Sequence, residues 1–70
     1  MIATQFNSSN LRKATYNPFT AKLTVTFHTN AIYEYVRVPL AVYLRLVQAD
    51  SHGGYFARHI RDRFSYRRIK

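Results

Sequence analysis

Six of the eleven Lys and Arg residues fall in the last thirteen positions: Arg58, Arg61, Arg63, Arg67, Arg68 and Lys70. Asp62 is the one acid among them. A guanidinium is a planar fork that donates two parallel hydrogen bonds, which is the geometry a phosphate accepts. Tyr66 sits inside this run, and a phenol can stack on an unpaired base. A basic run with an interleaved aromatic points to a polyanion, with phosphate contacts dominating and little sequence selectivity. Lys22 and Arg37, expected at one end of two neighbouring strands, extend the basic surface. The plainer reading of the same residues is a solvated helix face followed by a frayed tail.

Other residue types do less. Asp50-Ser51-His52 contains the side chains of a hydrolytic triad, but sequence neighbours seldom have triad geometry, and Ser51 is better explained as a helix cap. The three acids are not paired for acid–base work. His28, His52 and His59 have no cysteine partners and form no metal-binding signature. Backbone N–H groups at Gly53-Gly54 could receive a phosphate, yet two glycines fall far short of a phosphate-binding loop. The expectation is a non-enzymatic protein without cofactor or metal.

The seventy residues fit one small domain, whose core supplies only ~3–5 kcal/mol at this size. No cysteine is present, which fits the cytoplasm. Residues 1–10 have no basic head or long apolar run, so no secretory signal is expected. No apolar stretch reaches membrane-spanning length, and an interfacial anchor is disfavoured because the second helix has few large exposed apolar groups. Eleven Tyr and Phe residues can build an aromatic core, while the net charge of +8 calls for an anionic partner.

The elements that position these groups follow from hydrophobic period. Residues 1–9 read as a polar arm. Leu11–Tyr16 and Lys22–Phe27 read as strands, joined by an Asn17-Pro18-Phe19-Thr20 turn. Ala31–Val38 is a third strand, rich in β-branched and aromatic residues and ended by Pro39. Its register depends on the turn before it. A two-residue loop at Thr29-Asn30 places Tyr33 and Tyr35 on the polar face, but requires φ > 0 at β-branched Thr29. A three-residue loop, His28-Thr29-Asn30, needs the left-handed conformation only at Asn30. It sets Tyr33 opposite Val25 and Tyr35 opposite Leu23, facing the core, and is favoured. On the other register the two tyrosines form a base-stacking platform.

From Pro39 to about Ala49, apolar residues recur at helical spacing, widened by Leu40, Leu44 and Val47 into a stripe broad enough to leave an exposed patch. Ser51 caps a second helix running to about Phe64, with Phe56, Ile60 and Phe64 as its buried ridge. The tail from Ser65 alternates like a short extended segment. The expected fold is α+β: a three-stranded antiparallel meander followed by two helices packed on one face (βββαα).

The motifs stand in an ordered series. Tyr33-Glu34-Tyr35 lies in the third strand, Val38-Pro39 follows, and Val42-Tyr43 comes one helical turn later. Ala49, Ser51, Gly53-Gly54, Tyr55-Phe56 and Ile60-Arg61 complete the series. This combination resembles the KTSC domain, the short module named after the C-terminal extension of some lysyl-tRNA synthetases, here in the stand-alone form of bacteria and phages. The resemblance runs from about Ser9 to Ile69. It implies a flexible N-terminal arm at 1–9 and one KTSC-like domain at 10–70. The family commonly has Asn-Gly before Tyr-x-Tyr, where this chain has Thr29-Asn30. Through the synthetase context, the resemblance implies RNA as partner.

The expected function is therefore a small nucleic-acid-binding module for RNA or another single strand. The alternative is a protein-interaction module or phage-type regulator, docking on an acidic surface of host transcription or translation machinery. Composition says nothing of oligomeric state.

Overall fold

The computed structural model describes residues 1–70. Its elements, in chain order, are β1 (Ile2–Gln5), β2 (Leu11–Asn17), β3 (Lys22–Phe27), β4 (Ile32–Tyr35), α1 (Leu40–Gln48), α2 (His52–His59) and β5 (Tyr66–Arg68). All strands join one antiparallel sheet in the order β1-β2-β3-β4-β5. The α+β architecture with a helix pair on one sheet face agrees with expectation, but the sheet has five strands rather than three. The two added strands are its edges.

Residues 1–9 do not form an arm outside the sheet. Ile2–Gln5 pair with Tyr16–Lys13, and the Phe6 N–H donates to the Arg12 carbonyl at 3.0 Å. Phe6 is buried beside His52, with ring centroids 4.7 Å apart. Ile2, Thr4 and Phe6 alternate as a strand requires, a signal weakened because Thr4 is polar and Ala3 between them is not. At the other edge, Tyr66–Arg68 pair with β4, giving the alternating tail a place in the sheet.

A bulge at Arg12 explains the spacing of the buried residues on β2. Leu11 pairs with Phe27 and Lys13 with Thr26, so Arg12 is the extra residue. Leu11, Ala14 and Tyr16 then reach the same buried face. The β3–β4 turn takes the three-residue form: Asn30 has φ 72°, its N–H donates to the Phe27 carbonyl, and Phe27 N–H donates to Ala31. Val25 pairs with Tyr33 and Leu23 with Tyr35.

The passage from sheet to helix is fixed at one corner. Arg37 turns the chain through the left-handed region at φ 57°. Beyond it, Val38 N–H donates to the Ala21 carbonyl at 2.9 Å. The Tyr16 hydroxyl donates to the Val38 carbonyl at 2.5 Å, fully buried. Pro39 then opens α1, whose Tyr43 stacks on Tyr16 with centroids 5.1 Å apart. Tyr43 and Leu46 face the core, while Leu40 and Leu44 each remain 43% exposed.

Ser51 caps α2 as expected, accepting from Gly54 N–H at 3.1 Å. A Cβ on Gly54 would stand only 3.0 Å from the Ser51 Oγ, so the glycine makes room for the cap. The same bond already occupies the Gly54 N–H as a phosphate donor. Helix α2 stops at His59, short of Phe64. The Phe56 carbonyl accepts from both Ile60 and Arg61, and the chain leaves helical geometry at Ile60. Ile60 is fully buried and Phe64 half-buried, so the expected ridge survives in packing although its last turn is not helical. No helix is long and apolar enough to cross a membrane.

Candidate nucleic-acid interface

Strand alternation decides which tail residues meet. Tyr66 pairs with Tyr35, Arg67 with Glu34, and Arg68 with Tyr33. Tyr66 and Arg68 therefore share the helix-covered face with the two tyrosines, while Arg67 points to the other side with Glu34. Tyr66 stacks on Tyr33 at 5.3 Å and lies 5.4 Å from the Tyr35 ring. The Arg68 guanidinium carbon sits 6.0 Å from the Tyr33 ring centroid, within cation–π range.

Tyr33, Tyr35 and Tyr66 wall a cleft of about 410 Å³ between β4, β5 and the end of α2. Phe27 and Phe56 complete its aromatic lining, and Arg61 and Asp62 stand at its polar rim. Edge-on contacts hold the walls: Phe56 meets Tyr35 and Phe27, each at 5.5 Å. Tyr35 is a core residue, 2% exposed, whereas Tyr33 is half-buried and Tyr66 is 55% exposed. The two residues of the Tyr-x-Tyr thus divide the roles weighed for them: Tyr35 fills the interior and Tyr33 forms a cleft wall. Burial pushes the Tyr35 phenol up to about 12, helped by Tyr66 and Tyr33, opposed by Arg61 and raised again by Asp62.

The basic run is continuous in sequence but divided in space. Arg61 and Arg63 line a shallow hollow with Tyr66 beside the cleft. Lys70 continues the alternation of Tyr66 and Arg68, its backbone bonded to Ile32. Arg67 lies on the outer sheet face, its Nε 3.4 Å from the Glu34 carboxylate. Arg58 belongs to the α1–α2 corner with Asp50 and Tyr55. Lys22 and Arg37 do come to one end of the sheet, through the Val38–Ala21 backbone bond. Arg61 Nε is 3.9 Å from Asp62, and the other nine Lys and Arg side chains stand in no ion pair.

Sequence reasoning missed Phe27, Phe56 and Asp62 as parts of the site. Phe56 read as part of a buried helix ridge, and it is buried; Phe27 read as a strand residue and packs partly buried against the core. The signal for their convergence was the preferred β3–β4 register, which puts Phe27 and Tyr33 on one face; β5 was the missing wall. No group of three or more His, Asp or Glu side chains is arranged to hold a metal ion.

The KTSC domain family model matches residues 7–64. A lysine–tRNA ligase of Nostoc sp. is 43% identical over 54 residues, covering 77% of this chain. A lysine–tRNA ligase of Trichormus variabilis is 36% identical over 59 residues, covering 84%. The matched segment spans only 10% of the length of each of these curated relatives. Among solved structures, a KTSC domain protein from Yersinia pestis superposes with a TM-score of 0.93 at 26% identity, covering 99% of this chain and 97% of that one. The matched segment holds the Tyr-x-Tyr, Phe56, Arg61 and Asp62, while the β5 residues that close the cleft follow it. Sequence and fold agree, and the chain belongs to the KTSC domain family.

Proposed function

We propose that this domain binds single-stranded RNA, with an unpaired base stacked at the Tyr33–Tyr66 wall and phosphates on the cations around it. One observation carries the reading: an aromatic cleft opens between guanidinium groups that have no strong internal counter-charge. A base presents a π-face whatever its identity, and stacking on an exposed aromatic stabilises it by about 1–3 kcal/mol. Arg61, Arg63, Arg68 and Lys70 are the phosphate donors on that side, and Arg58, Lys22 and Arg37 are outlying charges that raise the general attraction. Similarity to ligases named for a tRNA favours RNA over DNA, and such a partner puts the working compartment in the cytoplasm. Titration of a fluorescently labelled oligouridine by anisotropy is the direct test. Affinity is expected to fall steeply with log[salt] and with Tyr66→Ala. No binding to any RNA or DNA at low salt would refute the reading.

A second reading rests on Leu40 and Leu44, one helical turn apart and both 43% exposed. With Arg45 beside them they suit the dry centre and charged rim of a contact to an acidic protein surface, such as one on host transcription or translation machinery. A partner retained after nuclease treatment but lost with Leu44→Glu would favour it.

A further inference from the structure

The rim of the cleft offers more than a stacking surface. Arg61 and Asp62 are neighbours of opposite charge, 3.9 Å apart at their closest, with side chains 58% and 83% exposed. That separation is too long for a hydrogen bond, so both heads are free to engage a ligand. Asp62 is the one carboxylate lining this cleft. Together the pair presents a donor followed by two acceptor oxygens, at the mouth of a slot lined by Tyr33, Tyr35, Phe56 and Tyr66.

The four RNA bases differ in what their Watson–Crick edges return to such a pair. Guanine presents one acceptor, O6, and then two donors, N1–H and the 2-amino group. Cytosine presents the opposite order. Adenine presents one donor and one acceptor, and uracil sets an acceptor on each side of a single donor. Guanine alone gives each carboxylate oxygen its own N–H donor while also offering an acceptor to the guanidinium; adenine and cytosine can satisfy only one of those oxygens along this edge. Its two fused rings also cover more of a tyrosine face than a pyrimidine does, and the cleft's volume, about 410 Å³, lies in the range of nucleoside-sized sites.

We propose that the cleft selects an unpaired guanine: Asp62 accepts from N1–H and the 2-amino group, Arg61 donates to O6, and the ring stacks on the Tyr33–Tyr66 pair. This deepens the single-strand reading and rests on it. Selectivity is confined to one nucleotide, because the flanking cations contact only phosphate.

The experiment compares labelled RNA nonamers of uridine that carry a central guanosine, adenosine, cytidine or inosine, with all-uridine RNA as reference. The guanosine nonamer should bind about tenfold more tightly than the adenosine one, with inosine between them because it lacks the 2-amino group. Asp62→Asn should bring the guanosine-to-adenosine ratio close to one. Circular dichroism of this variant should be unchanged, since the side chain is 83% exposed. If all nonamers bind within twofold of one another, guanine selection is overturned while the single-strand reading stands. If the preference persists in Asp62→Asn, the assignment of Asp62 is overturned. If no nonamer binds, both readings fall.

Discussion

Arg67 and Arg68 are adjacent in sequence and project to opposite sides of the sheet, so their replacement by alanine should have unequal effects on RNA binding. Arg68 stands over Tyr33 at the cleft, whereas Arg67 lies 3.4 Å from Glu34 on the outer face. For a single strand, each neutralised phosphate contributes about 0.7 to the slope of log K against log[salt]. Removing Arg68 should therefore lower the slope by about 0.7. Over a fourfold change in salt, one such contact corresponds to a change of about 2.5-fold in affinity. Removing Arg67 should leave the slope unaltered, because its charge is already met by a carboxylate and faces away from the cleft. Its pairing with Glu34 is open to water, 76% exposed on the arginine side, so the loss in stability should stay below about 1 kcal/mol. Anisotropy titrations of an oligouridine over several salt concentrations measure both slopes, and urea melts check the folds. Equal slope reductions in the two variants, or a larger one for Arg67→Ala, would show that RNA follows the outer face and would refute the cleft assignment.

Three further outcomes follow from the packing. Tyr16→Phe strands the buried Val38 carbonyl and should cost about 1–3 kcal/mol in urea denaturation; no loss would mean that the corner is held by other contacts. Ser51→Ala removes the α2 cap and should cost about 1 kcal/mol, with RNA affinity little changed because the cap lies away from the cleft. Tyr35 is raised from 10.0 to about 12, so folding favours its neutral form: that stabilisation is complete below pH 10 and is lost as pH rises toward 12. The fall in melting temperature over this window should be shallower in Tyr35→Phe, and an identical fall would exclude Tyr35 as its source.

Much of the fold was legible from residue types. The β-branched Thr29 and the tolerant Asn30 determined the β3–β4 register through backbone sterics, and that register placed the tyrosines. Ser51 announced its cap, and Pro39 its helix start. The edge strands were harder to read because each is short. Ile2–Gln5 and Tyr66–Arg68 hold their places through pairing with a neighbour, and such tertiary support outweighs weak local propensity. The candidate site was legible in its ingredients but not in its assembly. Proximity in sequence grouped Arg67 with Arg68, whereas a strand sends successive side chains to opposite faces. The alternation of the tail was read, but without its pairing to β4 it assigned no face, and the cleft lacked the wall contributed by Tyr66. Arg58, within α2 itself, faces the α1–α2 corner with Asp50 and Tyr55, apart from the cleft.

Strand β5 has only three residues, all exposed, and is hydrogen-bonded along β4 alone. It nevertheless brings Tyr66 to the cleft and Arg68 to the Tyr33 ring. Occupancy of the cleft is therefore linked to the docking of this least anchored strand: a ligand that touches Tyr66 also holds the strand in place. Where β5 is docked only part of the time, apparent affinity falls in proportion to that fraction. In hydrogen exchange, the Ile32 and Ile69 amides that tie this edge together should then become slower to exchange when the cleft is filled, although neither amide contacts the ligand.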